Sequence, residues 1–151
     1  MLLTAAGPAL AEPAARLEAV DQDDEVLARR DLEEGDTWCL AWNHSVEGFT
    51  VLDCYVFRDA RMVLQRSHLP DFAAGLDHIP GRGEQVSDGE GGYWIEEIDE
   101  PVPDNRYTLR VGADEVDHRL RWEEDDEAFQ VSLSAQAAGE RVTLRIVELD
   151  D

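Results

Sequence analysis

Apolar and polar positions alternate along this chain in short runs, and turn-forming residues separate one run from the next. The clearest example extends from Trp38 to Phe57. Its two arms are rich in aromatic and β-branched residues, and its centre holds Gly48 beside small polar groups. Two such arms joined by a few residues are typical of a β-hairpin, and we expect the rest of the chain to be organised around it.

The symmetry of this hairpin predicts its register. A turn centred on the bond between residues 46 and 47 pairs three positions directly across the strands: Cys39 with Cys54, Leu40 with Asp53, and Trp42 with Val51. Side chains alternate between the two faces of a strand, so one face would carry a defined set of residues: Trp42, His44, Val51, Asp53 and Tyr55. We therefore expect His44 and Asp53 to project from adjacent strands into one hollow.

The other runs predict further strands at near-regular spacing: residues 16–20, 26–31, 62–68, 93–98, 106–111, 116–122, 129–133 and 141–149. The runs 106–111 and 116–122 are expected to pair as a hairpin that turns at residues 112–114. Residues 123–127 form a predicted acidic loop, and only residues 134–138 favour a helix. The pattern predicts an all-β sandwich or small barrel of about eight or nine antiparallel strands.

The stretch from residue 69 to residue 92 interrupts this rhythm with small residues and glycines. Residues 69–83 allow one helical turn or a loop that lies close to other backbone. A phosphate-cradling glycine loop would need a strand before it and a helix after it, whereas a predicted strand follows here. The glycines are therefore interpreted as turn residues. We find no internal repeat and no domain boundary, so residues 12–151 are expected to form a single β domain.

Charge is the most unusual property of the 151-residue chain. It has 35 acidic residues against 13 basic ones, a formal net charge of -22, and no lysine. Self-repulsion at this charge favours a high-salt environment, where the Debye length is only about 3 Å at 1 M. The alternative is an acidic surface for a cationic partner. Nucleic acid is not expected as a partner, because binding it requires a basic surface.

Two further features bear on the cellular compartment. Residues 1–11 are apolar and end in Ala-Leu-Ala, which resembles the end of a secretory signal peptide, although a frayed N-terminus is the alternative. The two cysteines, Cys39 and Cys54, could form a disulfide outside the cell if the predicted register holds. A bridge between directly opposed strands is often strained, so the expectation is that both stay free as small apolar residues.

Candidate site residues fall in two stretches. They are His44, Ser45, Glu47 and Asp53 in the hairpin, and Phe72, Ala74, Gly75, Asp77 and His78 in the loop that follows. Polar groups beside aromatic walls, approached by a small-residue loop, are typical of a small-molecule pocket. The predicted site therefore recognises a ligand and needs no cofactor. The alternative is that these polar groups bind no ligand and only hold the hairpin and the loop together.

A metal-binding or catalytic site is the competing interpretation. The candidate metal ligands are His44, Glu47 and His78, but the chain lacks the close ligand spacing of a Cys-x-x-Cys or His-Glu-x-x-His site. Asp53 could orient His44 in a His–Asp pair, yet the sequence offers no obvious nucleophile, and Ser45 would point to the opposite face. No catalytic residue and no resident metal are therefore predicted.

Two motifs occur in order along the chain. The first is His-Ser-Val-Glu at residues 44–47, followed by Asp53 and Tyr55, and the second is Phe-Ala-Ala-Gly-Leu at residues 72–76. Together they resemble the motifs of the family known as domain of unknown function 1850, over about residues 36–147. Ala73 stands where the family typically has a glycine, and residues 50–51 replace a common Pro-Trp pair. The acidic, lysine-free composition resembles the haloarchaeal branch.

This resemblance implies a role in transport, because genes of the family commonly accompany tripartite ATP-independent periplasmic (TRAP) transporters of the TAXI type. The expected function is that of a non-catalytic, extracytoplasmic accessory protein of such an uptake system. Its expected partners are the transporter subunits or the substrate-binding protein, and a small molecule is a possible ligand. The alternative is a small metal-dependent or His–Asp enzyme acting outside the cytoplasm.

Overall fold

Two antiparallel β-sheets make up residues 14–44, 49–69 and 83–149, the part of the chain that the computed structural model describes. Alternating β-branched, aromatic and polar residues favour strands throughout. The twelve strands of the described residues are β1 (Ala15–Val20), β2 (Val26–Leu32), β3 (Thr37–Asn43), β4 (Thr50–Arg58), β5 (Arg61–Leu69), β6 (Glu84–Ser87), β7 (Tyr93–Glu96), β8 (Glu100–Pro101), β9 (Arg106–Arg110), β10 (Arg119–Glu124), β11 (Glu127–Ser132) and β12 (Arg141–Glu148). A 3-10 turn (Pro103–Asn105) precedes β9, and a short helix, α1 (Ser134–Ala137), follows β11.

The small sheet has the strand order β2-β1-β12-β9. The large sheet has the order β11-β10-β3-β4-β5-β7-β6, and β8 pairs with the first half of β5. The two sheets face each other as a sandwich and do not close into a barrel. The all-β prediction is confirmed. The described residues contain more strands than expected; among them, β6 and β8 could not be predicted, because β6 is wholly exposed and β8 has only two residues.

The core lies between the sheets. Leu17 and Leu144 enter it from the small sheet and Trp38 from the large sheet, and all three are almost fully buried. Tyr55 on β4 stacks on Trp38 with 5.9 Å between ring centroids and on Tyr107 of β9 with 5.4 Å. This column of three rings crosses from one sheet to the other. Burial of each large apolar side chain contributes about 1.5–3 kcal/mol.

A buried arginine also connects the sheets. Arg30 on β2 of the small sheet has a side chain only 4% exposed. It donates hydrogen bonds to the carbonyl oxygen of Thr37 on β3 and, over 3.0 Å, to Glu124 at the end of β10. Its guanidinium carbon lies 5.8 Å from the ring centroid of Trp122. Because a buried charge is tolerated only when it is paired, these contacts hold one edge of the sandwich together.

The predicted register of the hairpin is confirmed. Strands β3 and β4 pair Cys39 with Cys54, Leu40 with Asp53 and Trp42 with Val51. Strand β5 follows β4 as its next neighbour, so β3, β4 and β5 form a three-strand meander. The helix expected near residue 134 is present as α1.

The predicted hairpin of residues 106–111 and 116–122 is wrong. Strand β9 pairs with β12 in the small sheet, whereas β10 pairs with β3 and β11 in the large sheet. The connection between β9 and β10 therefore crosses from one sheet to the other. Val111 is 1% exposed at the start of this crossing, and the N–H of Gly112 donates to Nδ1 of His118 over 2.8 Å. Alternation indicates which face of a strand is apolar, but it does not identify the neighbouring strand.

The acidic loop predicted at residues 123–127 is also wrong in extent. Strand β10 continues to Glu124 and β11 begins at Glu127, so only two residues form the turn. These residues, Asp125 and Asp126, have φ values of 50° and 65°. Positive φ at both central residues matches the type I′ turn that suits a tight hairpin. The flanking glutamates lie in strands because an exposed strand position accepts a charged side chain.

Several predictions concern residues outside the described ranges. The signal-peptide remnant at residues 1–11 is one of them. The loop predicted at residues 69–83 is another, since the structure describes only its first and last positions. Among the described helices, none is both long enough and apolar enough to cross a membrane.

Candidate functional site

His44 lies directly after the last residue of β3. Its backbone N–H donates to the carbonyl oxygen of Phe49 over 2.7 Å, and its ring stacks on the ring of Phe49 with 5.0 Å between centroids. These contacts close the hairpin above the last strand pair, Asn43 with Thr50. The other predicted residues of this site lie outside the described ranges: Ser45, Glu47, Phe72, Ala74, Gly75, Asp77 and His78. Their approach to His44 stays a prediction.

Asp53 lies in the middle of β4 and faces the interior of the sandwich. Its strand partner is Leu40, which is buried, and its Oδ1 accepts a hydrogen bond of 2.6 Å from Oγ of Ser67 on β5. His44 pairs with Phe49, four residues before Asp53, which corresponds to about 13 Å along an extended strand. The strand register therefore places His44 and Asp53 at different distances from the turn of the same hairpin. The common hollow stays a prediction.

Asp53 belongs to a small polar group inside the aromatic column. Burial raises the pKa of the Tyr107 phenol well above its usual value, and the nearby Tyr55 and the charge of Asp53 raise that pKa further. Tyr107 consequently stays protonated near neutral pH and cannot act as a base there. The arrangement places the carboxyl group of Asp53 inside the sandwich, where it accepts a hydrogen bond from the hydroxyl group of Ser67.

The two ends of the hairpin turn are anchored to the neighbouring strand. Arg119 on β10 is 5% exposed and donates to Oδ1 of Asn43 at 3.4 Å and to Oγ1 of Thr50 at 3.3 Å. The N–H of Asn43 donates to the carbonyl oxygen of Val116 over 2.7 Å. The chain therefore enters and leaves residues 44–49 at fixed positions, as the support of a binding loop requires.

His118 connects the crossing between the sheets to helix α1. Its backbone N–H donates to Oγ of Ser134 over 2.9 Å, and that hydroxyl donates to the carbonyl oxygen of Gly112 over 2.7 Å. Nδ1 of His118 accepts the N–H of Gly112, so the ring is neutral in this arrangement. Burial lowers the pKa of His118, and the charge of Asp117 opposes this only in part.

We expect this histidine to make stability depend on pH. The pKa of His118 in the folded protein lies below the unfolded value of about 6.5, so the unfolded chain binds the proton more tightly. The contribution is therefore complete above pH of about 6.5 and is lost as the pH falls below it. Urea unfolding between pH 7 and pH 5 should show a smaller loss for His118→Asn, whose side-chain oxygen can still accept from Gly112. Equal pH slopes in the two proteins would contradict this.

The cysteines form a disulfide, which corrects the expectation that they stay free. The sulfur atoms of Cys39 and Cys54 are bonded at 2.07 Å, and their Cα atoms lie 4.0 Å apart. The adjacent residue Leu40 points into the core, so the cysteines project from the opposite, outer face of the large sheet. Cys54 is buried there, and the direct opposition of the two cysteines in the register allows the bridge.

A second group of polar and aromatic side chains lies on the same outer face. Nε2 of His68 is 2.8 Å from Oδ2 of Asp88, and the rings of His68 and Trp94 are 4.6 Å apart. Arg66 lies 4.1 Å above the ring of Trp94 and forms an ion pair of 3.3 Å with Glu96. The N–H of residue 90, and after it His68, lower the pKa of Asp88. This carboxylate is thus held in its charged form.

A cleft of about 420 Å³ opens between the β10–β11 hairpin, the start of β3 and Arg66 on β5. Its walls include Trp38, Arg66, Arg121, Trp122 and Phe129. The described residues contain no group of three or more His, Cys, Asp or Glu side chains that could hold a metal ion.

Comparison with protein families identifies the family of this chain. The family described as "Domain of unknown function (DUF1850)" matches residues 39–129, which is more than half of the chain. The chain belongs to the DUF1850 family. Comparison with curated proteins gave no match, and neither did comparison with solved structures.

The DUF1850 match covers most of the large sheet. It begins at Cys39, ends at Phe129 on β11, and includes His44, Asp53 and the strands from β4 to β10. Most of the small sheet lies outside the matched residues, since β1, β2 and β12 fall before or after them. The disulfide and most of the cleft wall therefore belong to the DUF1850 segment, and the rest of the small sheet covers its inner face.

Sequence reasoning missed His68, Arg121 and Trp122 as members of any site. Each was interpreted only as part of a strand, because a single polar residue among alternating positions gives no signal of its own. The pairing of the strands does contain such a signal. The pairing of Arg121 with Cys39, and of Cys54 with Arg66, places the disulfide between two arginines.

Proposed function

We propose that this chain is an extracytoplasmic accessory protein of a TRAP-type solute uptake system of the TAXI class. It recognises a ligand or a partner subunit and carries out no reaction of its own. Membership of the DUF1850 family supports this proposal, because the genes of that family commonly accompany such transporters. The expected partners are the transporter subunits or the substrate-binding protein.

The Cys39–Cys54 disulfide is the observation that carries the extracytoplasmic assignment. Disulfides persist in oxidising compartments and are rare in the cytosol, where thiols are kept reduced. The bridge joins the two strands of the hairpin that bears the His-Ser-Val-Glu motif. The feature that indicates an oxidising compartment therefore lies in the same hairpin as the proposed recognition residues. The acidic, lysine-free composition supports a high-salt environment for this protein.

The hairpin provides the proposed recognition site. His44 is half-buried at the turn end of the hairpin, and Arg119 holds Asn43 and Thr50, the residues on either side of the turn segment. A rigid sheet that presents a short polar turn is a common arrangement for binding without chemistry. Within this proposal Asp53 contributes a carboxyl group on β4, farther from the turn.

The test is transport in cells that carry the associated transporter genes. Deletion of this gene should reduce uptake of the transported solute, and the wild-type gene should restore it. We expect His44→Ala and Asp53→Asn each to restore uptake several-fold less well while keeping the wild-type urea midpoint, because Asn at position 53 can still accept from Ser67. Thr108→Ala, on an exposed position of the small sheet, is the matched control and should restore uptake fully.

Two results would reject the proposal. Uptake that is unchanged by the deletion would remove the association with transport. Full restoration by both site variants would show that the hairpin is not the recognition site, even if the deletion itself impairs uptake.

A further inference from the structure

The outer face of the small sheet concentrates positive charge on an otherwise acidic molecule. Leu17, Ala28 and Leu144 point into the core from β1, β2 and β12, so the alternate side chains of these strands lie on the opposite face. That surface, here called the arginine face, carries six of the thirteen arginines of the chain: Arg16, Arg29, Arg106, Arg110, Arg141 and Arg145. The described strands place two carboxylates among them, those of Glu18 and Asp31. The face therefore has an excess of positive charge in a chain whose net charge is -22.

Both carboxylates of the arginine face are already paired. Nε of Arg16 donates to Asp31 over 2.9 Å, and Arg145 donates to Oε1 of Glu18 from two nitrogens over 3.0 and 3.2 Å. The other four arginines are exposed and form no ion pair with any carboxylate of the described residues: Arg29, Arg106, Arg110 and Arg141. The terminal nitrogens of these guanidinium groups can therefore donate to a partner.

The strand register sets arginines against each other in two places. Arg106 pairs with Arg145, and Arg110 pairs with Arg141, across β9 and β12. Like charges that lie directly opposite each other on antiparallel strands are destabilising. The stability of the sheet therefore does not explain these pairs, whereas an anionic group bound beside them would remove the repulsion.

Strand β9 is the outermost strand of the small sheet. One of its edges pairs with β12, and no described strand pairs with the other edge. Because Leu109 packs against the core, Arg106 and Arg110 lie on the outer face, about 13 Å apart along the strand. Between them, the hydroxyl group of Thr108 is hydrogen-bonded to that of Thr143 over 2.8 Å, so the threonines are bonded to each other. A free edge of this kind accepts an added strand, whose carboxylates at alternate positions would lie opposite the arginines.

We propose that the arginine face and the free edge of β9 bind an extended acidic segment of another protein. The segment adds to β9 as a strand, and its carboxylates accept hydrogen bonds from Arg106, Arg110 and Arg141. Guanidinium groups suit this role because their planar fork matches a carboxylate. At 1 M salt the Debye length is only about 3 Å, so the net charge of the chain hardly repels the segment, whereas contacts at hydrogen-bond distance persist. The proposal does not depend on the association with a transporter.

Among macromolecular partners, a protein segment fits this face best. Binding to a membrane surface normally uses apolar side chains that enter the lipid, and no exposed large apolar side chain lies on β9 or β12 in the described chain. A membrane or a nucleic acid would also extend beyond the face to the β1–β2 turn, which contacts the backbone of Arg141 through Gln22 and carries several carboxylates: Asp21, Asp23, Asp24 and Glu25. A second copy that paired through its own β9 would set arginines against arginines.

Fluorescence anisotropy tests the proposal with a labelled peptide of four Glu-Thr repeats, at the lowest salt concentration at which circular dichroism shows the folded protein. We expect saturable binding of this peptide. Two analogues should bind at least about tenfold more weakly. The first has Gln-Thr repeats and lacks the charge. The second is the Glu-Thr peptide with N-methyl groups along its backbone, which keeps the charge but loses the N–H donors that an added strand needs.

Paired substitutions locate the binding surface. Arg110→Gln/Arg141→Gln should weaken binding of the Glu-Thr peptide about tenfold, with a urea midpoint at or above that of the wild-type protein because a like-charged pair is removed. Arg58→Gln/Arg61→Gln is the matched control. These two arginines are also exposed and directly opposite in the register, but they lie on β4 and β5 of the large sheet. Their loss removes the same charge and should leave the affinity unchanged.

Several results would overturn the proposal. Equal affinity for the Glu-Thr and Gln-Thr peptides would show that charge is not recognised, and equal affinity for the N-methylated peptide would exclude the added strand. Equal losses in the two double variants would assign the effect to overall charge. Tighter binding of phosphatidylglycerol vesicles or of a DNA duplex would identify a lipid or nucleic-acid surface, and a dimer lost in Arg110→Gln/Arg141→Gln would identify an interface between copies. No binding of the Glu-Thr peptide up to about 1 mM would exclude this class of partner.

Discussion

Replacing Trp38 by alanine should lower the free energy of unfolding by about 3–5 kcal/mol, the largest effect expected of any single substitution considered for this protein. Trp38 is 1% exposed, and it stacks on Tyr55 in the aromatic column that joins the two sheets. Its removal would leave a cavity at the centre of the sandwich, because a closely packed core relaxes only in part around a lost ring. Urea unfolding followed by circular dichroism at constant salt would measure the change.

Trp94→Ala is the matched control for this substitution. Trp94 is a strand tryptophan of the same sheet, but it lies on the outer face and contacts Arg66 and His68 at the surface. Its loss should cost only about 1 kcal/mol, the usual value of such surface contacts. A further variant, Trp38→Phe, keeps a ring against Tyr55 and should cost less than half as much as Trp38→Ala. Equal losses for Trp38→Ala and Trp94→Ala would contradict the assignment of the core.

The double variant Cys39→Ala/Cys54→Ala should be less stable than the oxidised protein by about 3 kcal/mol. The bridge closes a segment with a sequence separation of 15, and the entropy that such a cross-link removes from the unfolded chain corresponds to about this value. Urea unfolding of the wild-type protein with and without a reductant, beside that of the double variant, would measure it. The reduced wild-type protein should match the double variant within about 0.5 kcal/mol.

The outcome also bears on the compartment. If the oxidised protein, the reduced protein and the double variant all unfold at the same urea concentration, the bridge contributes nothing to stability. An oxidising compartment would then be unnecessary for folding, and the extracytoplasmic assignment would lose its main support.

The hairpin could be predicted in detail because the information that defines it is local. The apolar arms and the small polar centre are adjacent in sequence, so symmetry alone gave the correct pairing of Cys39 with Cys54. The pairing of β9 with β12 could not be predicted in this way. These strands are brought together by the burial of Leu144 and Val142 against the large sheet, and alternation in β9 fits any antiparallel neighbour equally well.

The candidate site was predicted less completely than the fold. The sequence placed Asp53 opposite Leu40, but it gave no indication that this carboxylate would pair with Ser67 inside the sandwich. It identified the arrangement of the cysteines correctly and their oxidation state wrongly, since the redox state depends on the compartment as well as on geometry. The cleft beside Arg121 combines residues of non-adjacent strands, and such a site leaves no continuous motif.

The two outermost strands of the large sheet, β6 and β11, limit how copies of this molecule can meet. Each begins with an exposed glutamate, Glu84 in β6 and Glu127 in β11. An unpaired strand edge can recruit another chain into a continuous ribbon, and charged side chains along the edge oppose this. Two copies approaching edge to edge would bring carboxylates together. Resistance to fibrous self-association should therefore be greatest in dilute buffer and should weaken as added electrolyte screens the repulsion.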